Sequence, residues 1–157
     1  MIPFLDLKKI NKLYRKEILQ EIKDVFDSGW YILGEKLDKF EKEFAEFCSS
    51  KFCIGVANGL DALTIIFMSF KELNILKDED EVIVPANTYI ASILSISNCN
   101  LKPVLVEPDL ETYNISPEEI EKKITQKTKA ILVVHLYGHA ANMPAIKKIA
   151  DKFDLLV

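Results

Sequence analysis

Four short stretches of this chain are almost continuously apolar: Cys53 to Ala57, Glu81 to Val84, Pro103 to Val106 and Ala130 to Val134. A strand with one wet face alternates apolar and polar residues, whereas an unbroken run suits a strand covered on both faces. Each run leads into residues with helical spacing, covering Leu60 to Leu73, Ala91 to Asn98, Pro117 to Ile124 and Met143 to Phe153. Buried strands alternating with helices predict an α/β fold, with a largely parallel sheet and helices on both faces.

Two further helices precede the first run. Ile10, Leu13, Tyr14, Ile18, Ile22, Val25 and Phe26 recur at three- and four-residue steps from Leu7 to Ser28, ending near Gly29. After Gly34, the residues Leu37, Phe40, Phe44 and Phe47 form a second stripe. The helix at Pro117 carries the clearest start signal. Ser116 can cap it, Pro117 takes the first helical position, and Glu119 completes a capping box. No linker tract or repeat interrupts the chain, so residues 1–157 are expected to form part of one domain. Asp154 to Val157 resembles the first half of another buried strand, and the chain is expected to be a fragment of a longer protein.

With 157 residues, 49% of them hydrophobic and 28% charged, the chain can bury a core. Its formal net charge of −4 supplies no basic excess for a phosphate backbone, so nucleic acid is not expected as a partner. The longest apolar runs fall far short of the ~18 residues a membrane span needs. Met1 to Asp6 also lacks a basic leader region, which predicts a cytoplasmic protein without membrane association. Cys48, Cys53 and Cys99 are odd in number and show no CxxC spacing, so they are expected to be buried thiols in a reducing compartment. No metal site is expected, because the His135/His139 pair has no acidic partner at ligand spacing. One of these histidines is expected to be packed and the other solvated.

Chemistry is expected where strands end. Ile54 to Leu63 reads as strand, glycine turn and helix, and a helix N-terminus beginning at Gly59 would present unpaired N–H groups to a phosphate. An ordinary turn with Asn58 as N-cap explains the same residues. Neither G-x-G-x-x-G nor G-x-x-x-x-G-K-[ST] occurs. Tyr89, after the second run, would share a sheet edge with Gly59; its ring could stack on a flat heteroaromatic ligand or pack in the core. Asn87 and Thr88 could cap the next helix. Glu107, Asp109 and Glu111 read as a solvated loop.

Several motifs, in order, resemble one family. They are Ile2-Pro3-Phe4-Leu5-Asp6-Leu7-Lys8, Ser28 to Gly34 with Phe40-Glu41, Ala57 to Leu63, Asn87 to Ser92, Asp109 to Ile115 and His135-Leu136-Tyr137-Gly138. Together they resemble the DegT/DnrJ/EryC1/StrS sugar aminotransferases, pyridoxal-phosphate enzymes of the aspartate-aminotransferase fold (fold type I). Asn58 to Leu63 and Pro85 to Ser92 are most similar to the branch that makes dTDP-linked 3-amino-3,6-dideoxyhexoses.

The resemblance implies roles. Gly59, Leu60 and Asp61 would hold the cofactor phosphate, and Tyr89 would stack on the pyridine ring. Many members have Gly-Thr where this chain has Gly59-Leu60, which removes one hydroxyl contact. Trp30, Tyr31 and Gly34 would lie on the substrate side. The resemblance further implies glutamate as amino donor, a nucleotide-linked keto-deoxysugar as acceptor, and a homodimer. The family's Schiff-base lysine is expected beyond Val157, since Lys129 and Lys147 follow no matching motif. The 157-residue chain alone is therefore expected to be inactive and to bind pyridoxal phosphate weakly or not at all. Two alternatives remain: a sugar dehydratase of the same family, whose deciding residue also lies beyond Val157, and a non-catalytic truncated remnant.

Overall fold

The computed structural model describes residues 3–157, so Ile2 of the opening motif lies outside the described residues. Two compact units divide between Gly55 and Val56.

The first unit contains α1 (Leu7–Ser28) and α2 (Glu35–Phe47). Asp6 caps α1 by accepting from the Lys9 N–H at 2.9 Å, and Gly29 ends it at φ +66°, a left-handed conformation that glycine adopts without strain. Lys36 on α2 pairs with both Glu21 and Asp24 on α1. The helices match their periodic stripes, but no residue of α1 is buried, and Ala45 alone is buried in α2. Periodicity reports helical geometry, not what covers the stripe.

Residues 53–57 depart from expectation. They form no strand, and the backbone N–H of Gly55 instead donates to Glu41 Oε1 at 2.6 Å. A Cβ at Gly55 would come within 2.5 Å of Leu37 Cδ1, so a larger residue here would make the Leu37 side chain shift. An apolar run becomes a strand only beside a ladder partner, and these residues have none among the described residues.

The second unit is a three-layer α/β structure. Its strands β1 (Glu81–Pro85), β2 (Lys102–Val106) and β3 (Thr128–Ile131) pair in parallel, in the order β2-β1-β3. Every residue of the central strand is buried. Because side chains alternate across a strand, Val82 and Val84 pack with Phe67, Leu76 and Ile96, while Ile83 packs with Val106, Ile120 and Ile146. The first group draws on α3 (Gly59–Glu72) and α4 (Ile90–Ser97), the second on α5 (Pro117–Lys123) and α6 (Met143–Phe153). The central strand is thus covered on both faces as its continuous run requires, whereas Leu105 in the run of the edge strand β2 stays exposed. Leu156 forms a parallel bridge with Ala130, in keeping with the strand-like pattern of Asp154 to Val157.

The capping box at Ser116 is half made. Ser116 Oγ accepts from the Glu119 N–H, but the Glu119 carboxylate turns to Lys122, and the Ser116 N–H goes to the Glu107 carbonyl. Of the cysteines only Cys99 is buried; Cys48 is exposed and Cys53 half-buried, because each ends or follows a helix whose apolar stripe is uncovered. Burial pushes the Cys99 thiol above its ordinary value. No described helix is long and apolar enough to cross a membrane.

Candidate functional site

The direction of α3 and α4 follows from how they end. At the amino edge of the sheet, Lys71 near the end of α3 pairs with Asp78 and donates to the Cys99 carbonyl at 2.8 Å. The Glu79 N–H donates to the Asn100 carbonyl, and the Lys102 N–H to the Asp80 carbonyl, both at 2.9 Å. Both helices therefore finish beside the strand starts. A fourteen-residue helix is about 21 Å long and a five-residue strand about 16 Å, so α3 spans the sheet and begins at its carboxyl edge. Tyr89 lies four residues past the end of β1 and is the residue before α4. Gly59 and Tyr89 thus belong to the same edge.

At the start of α3, Asn58 has an extended backbone, and its Oδ1 accepts from the Asp61 N–H at 3.0 Å. Its Nδ2 donates to the Asp61 carboxylate at 2.9 Å. The cap consumes one of the three expected donors. The N–H groups of Gly59 and Leu60 have no acceptor among the described residues, and a Cβ at Gly59 would meet nothing within 4 Å. Two free donors at the positive end of a fourteen-residue helix can receive an anion. The Asp61 side chain carries the same charge as that anion, and Asn58 holds it.

Tyr89 is 79% exposed, so its ring is free to stack rather than packed in the core. Asn87 and Thr88 do not cap α4. Asn87 Nδ2 reaches the Tyr113 carbonyl at 3.0 Å, and the Thr88 and Ser92 hydroxyls share a 2.9 Å hydrogen bond. The open cradle and exposed ring fit a ligand that joins a phosphate to a flat aromatic ring.

The loop after β2 is more ordered than its charge pattern suggests. Asp109 Oδ1 accepts from the Thr112 N–H at 2.8 Å, the Thr112 hydroxyl at 2.9 Å and the Glu111 N–H at 3.1 Å. These bonds hold its carboxyl below the usual carboxylate range. After β3, a 3₁₀ turn spans Leu136–Gly138. Both histidines are exposed, against the expectation that one is packed, because the chain has left the covered strand before reaching them. His135 Nδ1 accepts from the Ala141 N–H at 3.1 Å, which places the proton of the neutral ring on Nε2.

Sequence reasoning missed Asn114 and the backbone of two tyrosines. Asn114 is buried, with its carboxamide between the loops after β2 and β3. Tyr113 and Tyr137 have φ of +58° and +49°, uncommon for bulky side chains, and both rings are exposed. A tyrosine carries no local signal for that conformation. Among the described residues, no three His, Cys, Asp or Glu side chains converge as metal ligands.

Trp30, Tyr31 and Gly34 belong to the first unit, where they line a cavity of about 510 Å³ with Ser28 and Lys36. Trp30 Nε1 donates to the Ile32 carbonyl at 2.7 Å. A Cβ at Gly34 would stand 3.2 Å from the Trp30 carbonyl oxygen, so glycine lets that turn close. Lys36 is held above the usual lysine range, chiefly by its bond to Glu21.

Comparison with known proteins places these features in one group. A sequence profile of the DegT/DnrJ/EryC1/StrS aminotransferase family matches residues 12–157. The chain is 59% identical, over all 157 residues, to the dTDP-3-amino-3,6-dideoxy-alpha-D-galactopyranose transaminase of Aneurinibacillus thermoaerophilus, and covers 42% of that relative. Its structure superposes on S. venezuelae DesV, solved in complex with a ketimine intermediate. The TM-score is 0.89 at 44% identity, over 98% of this chain and 40% of the other. It also superposes on NtdA from Bacillus subtilis, solved with its cofactor PMP. There the TM-score is 0.90 at 32% identity, over 98% of this chain and 35% of the other. The chain spans about two fifths of the length of the curated relatives it matches.

Proposed function

The chain belongs to the DegT/DnrJ/EryC1/StrS aminotransferase family, and from that premise we propose that it is the N-terminal part of the large domain of a pyridoxal-phosphate-dependent sugar aminotransferase. Its acceptor is a dTDP-linked 3-keto-6-deoxyhexose and its amino donor is glutamate. The full protein works as a homodimer in the cytoplasm.

The observation that carries this reading is the carboxyl edge. The Gly59 and Leu60 N–H groups are without an acceptor among the described residues at the start of α3, on the edge that also carries the exposed Tyr89 ring. Gly59 and Leu60 bind the cofactor phosphate through their backbone donors, assisted by the helix dipole. Asn58 keeps the Asp61 N–H and carboxylate engaged, so Asp61 shapes the first turn rather than donating to phosphate. Tyr89 covers one face of the pyridine ring and excludes water from it. Bound cofactor supplies the electron sink through which an amino group passes to a keto carbon. Trp30, Tyr31 and Gly34 serve the sugar side. No lysine of this chain is assigned to cofactor attachment: Lys129 lies on β3, with its strand neighbours buried, and Lys147 pairs with Asp151 at 2.9 Å.

The test is turnover by the complete protein supplied with pyridoxal phosphate, glutamate and a dTDP-linked 3-keto-6-deoxyhexose. Amino sugar and 2-oxoglutarate are expected in equal amounts. Loss of a sugar hydroxyl without a retained amine identifies the dehydratase branch, and a protein that binds no cofactor is the non-catalytic remnant.

A further inference from the structure

Three loops leave the carboxyl edge, one after each strand, and a single buried side chain ties two of them directly. Asn114 is 3% exposed. Its Nδ2 donates to the His139 carbonyl at 3.0 Å, and its Oδ1 accepts from the Leu136 N–H at 3.0 Å. Reversing the amide would set donor against donor, so the two bonds fix its orientation. The neighbouring Tyr113 carbonyl accepts from Asn87 Nδ2, which ties in the loop after β1, two residues from Tyr89. The Asn114 carbonyl in turn accepts from the Asp109 N–H at 2.8 Å, inside the turn that the Asp109 side chain organises.

We propose that Asn114 is a positioning residue: its carboxamide, with the Tyr113–Asn87 bond beside it, locks the three carboxyl-edge loops together and so holds the Tyr89 ring in place over the cofactor site. The link to cofactor rests on the function proposed above; the loop lock does not. Two features support a positional role beyond simple packing. Tyr113 and Tyr137, the residues flanking the lock, both have positive φ, a conformation that persists only where its surroundings over-determine it. The lock also spends all its bonds on loop backbone and none on a strand or core helix.

The lock predicts local effects. In the 157-residue chain, Asn114→Ala is expected to speed hydrogen exchange at Leu136 by about tenfold or more, because a buried amide loses its acceptor. Exchange at Thr88 and Ser92 should also rise, while amides of β1 and β2 keep their protection. Asn114→Asp retains an acceptor for Leu136 and should keep that amide protected while freeing the His139 carbonyl. Asn87→Ala, at an exposed side chain, should loosen residues 86–90 alone, and it remains informative if Asn114→Ala does not fold. The second measurement is binding, made with the complete protein. Asn114→Ala should weaken pyridoxal phosphate about tenfold relative to the parent and leave inorganic phosphate, held by the α3 cradle, unchanged. Uniformly faster exchange that includes β1 overturns the proposal, as does unchanged exchange at residues 86–92 in both Asn114→Ala and Asn87→Ala. Equal losses of both ligands overturn it as well. If the unsubstituted complete protein binds neither ligand, the proposed cofactor site is what has failed, and the exchange data alone decide the lock.

Discussion

Replacing Gly59 with proline separates the two things the start of α3 does. Position 59 is the first helical residue, whose N–H has no intrahelical acceptor, and Asn58 before it is extended at φ −163°, ψ 174°. Proline suits both conditions. Nothing lies within 4 Å of a Cβ there, so the ring has room. Gly59→Pro should therefore leave the fold intact and stabilise it by about 0.4–1 kcal/mol, through a less flexible unfolded chain. With a urea m-value near 1 kcal/mol/M for a unit of this size, the midpoint should rise by no more than about 1 M. Binding should move the other way. The substitution deletes one N–H of the proposed phosphate cradle, and a hydrogen bond to a charged group contributes about 1.5–3 kcal/mol, so affinity should fall about 10- to 100-fold. Gly59→Ala keeps the N–H and adds only a methyl group, so the difference between the two variants isolates the donor. Calorimetric titration with pyridoxal phosphate and with inorganic phosphate, beside urea unfolding followed by circular dichroism, reads both effects. Equal phosphate affinity in the proline and alanine variants would refute the cradle, and a loss of stability in the proline variant would refute the helix start.

Tyr89→Phe should bind pyridoxal phosphate like the parent, whereas Tyr89→Ala should lose about tenfold and retain inorganic phosphate; because the ring is exposed, thermal unfolding of both variants should match the parent. Ile83→Ala, on the central strand, should cost about 2–5 kcal/mol, seen as a large drop in the urea midpoint of the second unit, and a loss below 1 kcal/mol would contradict its place in the core. The Asp109 carboxyl is held low by its bonds to Thr112 and Glu111, so the native turn favours the charged form. That contribution is complete above the unfolded carboxyl's range and is lost as pH falls through the lower native value. Amide signals of residues 111–114 should hold at mildly acidic pH and change only below the usual carboxylate range, and Asp109→Asn should abolish that titration.

The sheet was legible in the chain because burial on both faces leaves a compositional trace. Glu81 to Val84 reads as a strand since Val82, Ile83 and Val84 each need an apolar neighbour on one face or the other. The same trace misplaced the third strand: Ala130 to Val134 is the apolar run, but the ladder covers Thr128–Ile131. Hydrophobicity marks burial, whereas pairing is set by the register with β1, in which Thr128 stands opposite Glu81. Asn58 was legible as a cap because its partner is three residues away. Asn114 was not, because its partners lie 22 and 25 residues further along, and no local pattern encodes a contact made by two loops meeting in space.

The two edges of the sheet divide stability from chemistry, and the division can be followed residue by residue. At the amino edge the polar groups are paired: Glu81 is buried, and its carboxylate accepts from the Thr125 hydroxyl at 2.6 Å and the Thr128 hydroxyl at 3.3 Å. Lys71 is likewise engaged by Asp78 and the Cys99 carbonyl. These groups are engaged within the protein. The carboxyl edge keeps the Gly59 and Leu60 donors free, exposes Tyr89, Tyr113 and Tyr137, and holds two of those rings on backbone that costs of order 1–3 kcal/mol each. Positive φ occurs at both edges, at Glu79 and Asn100 as well as at Tyr113 and Tyr137, so the contrast rests on the unspent donors and exposed rings. Parallel strands place that edge where three loops converge, so the fold that buries β1 on both faces also positions the proposed ligand site.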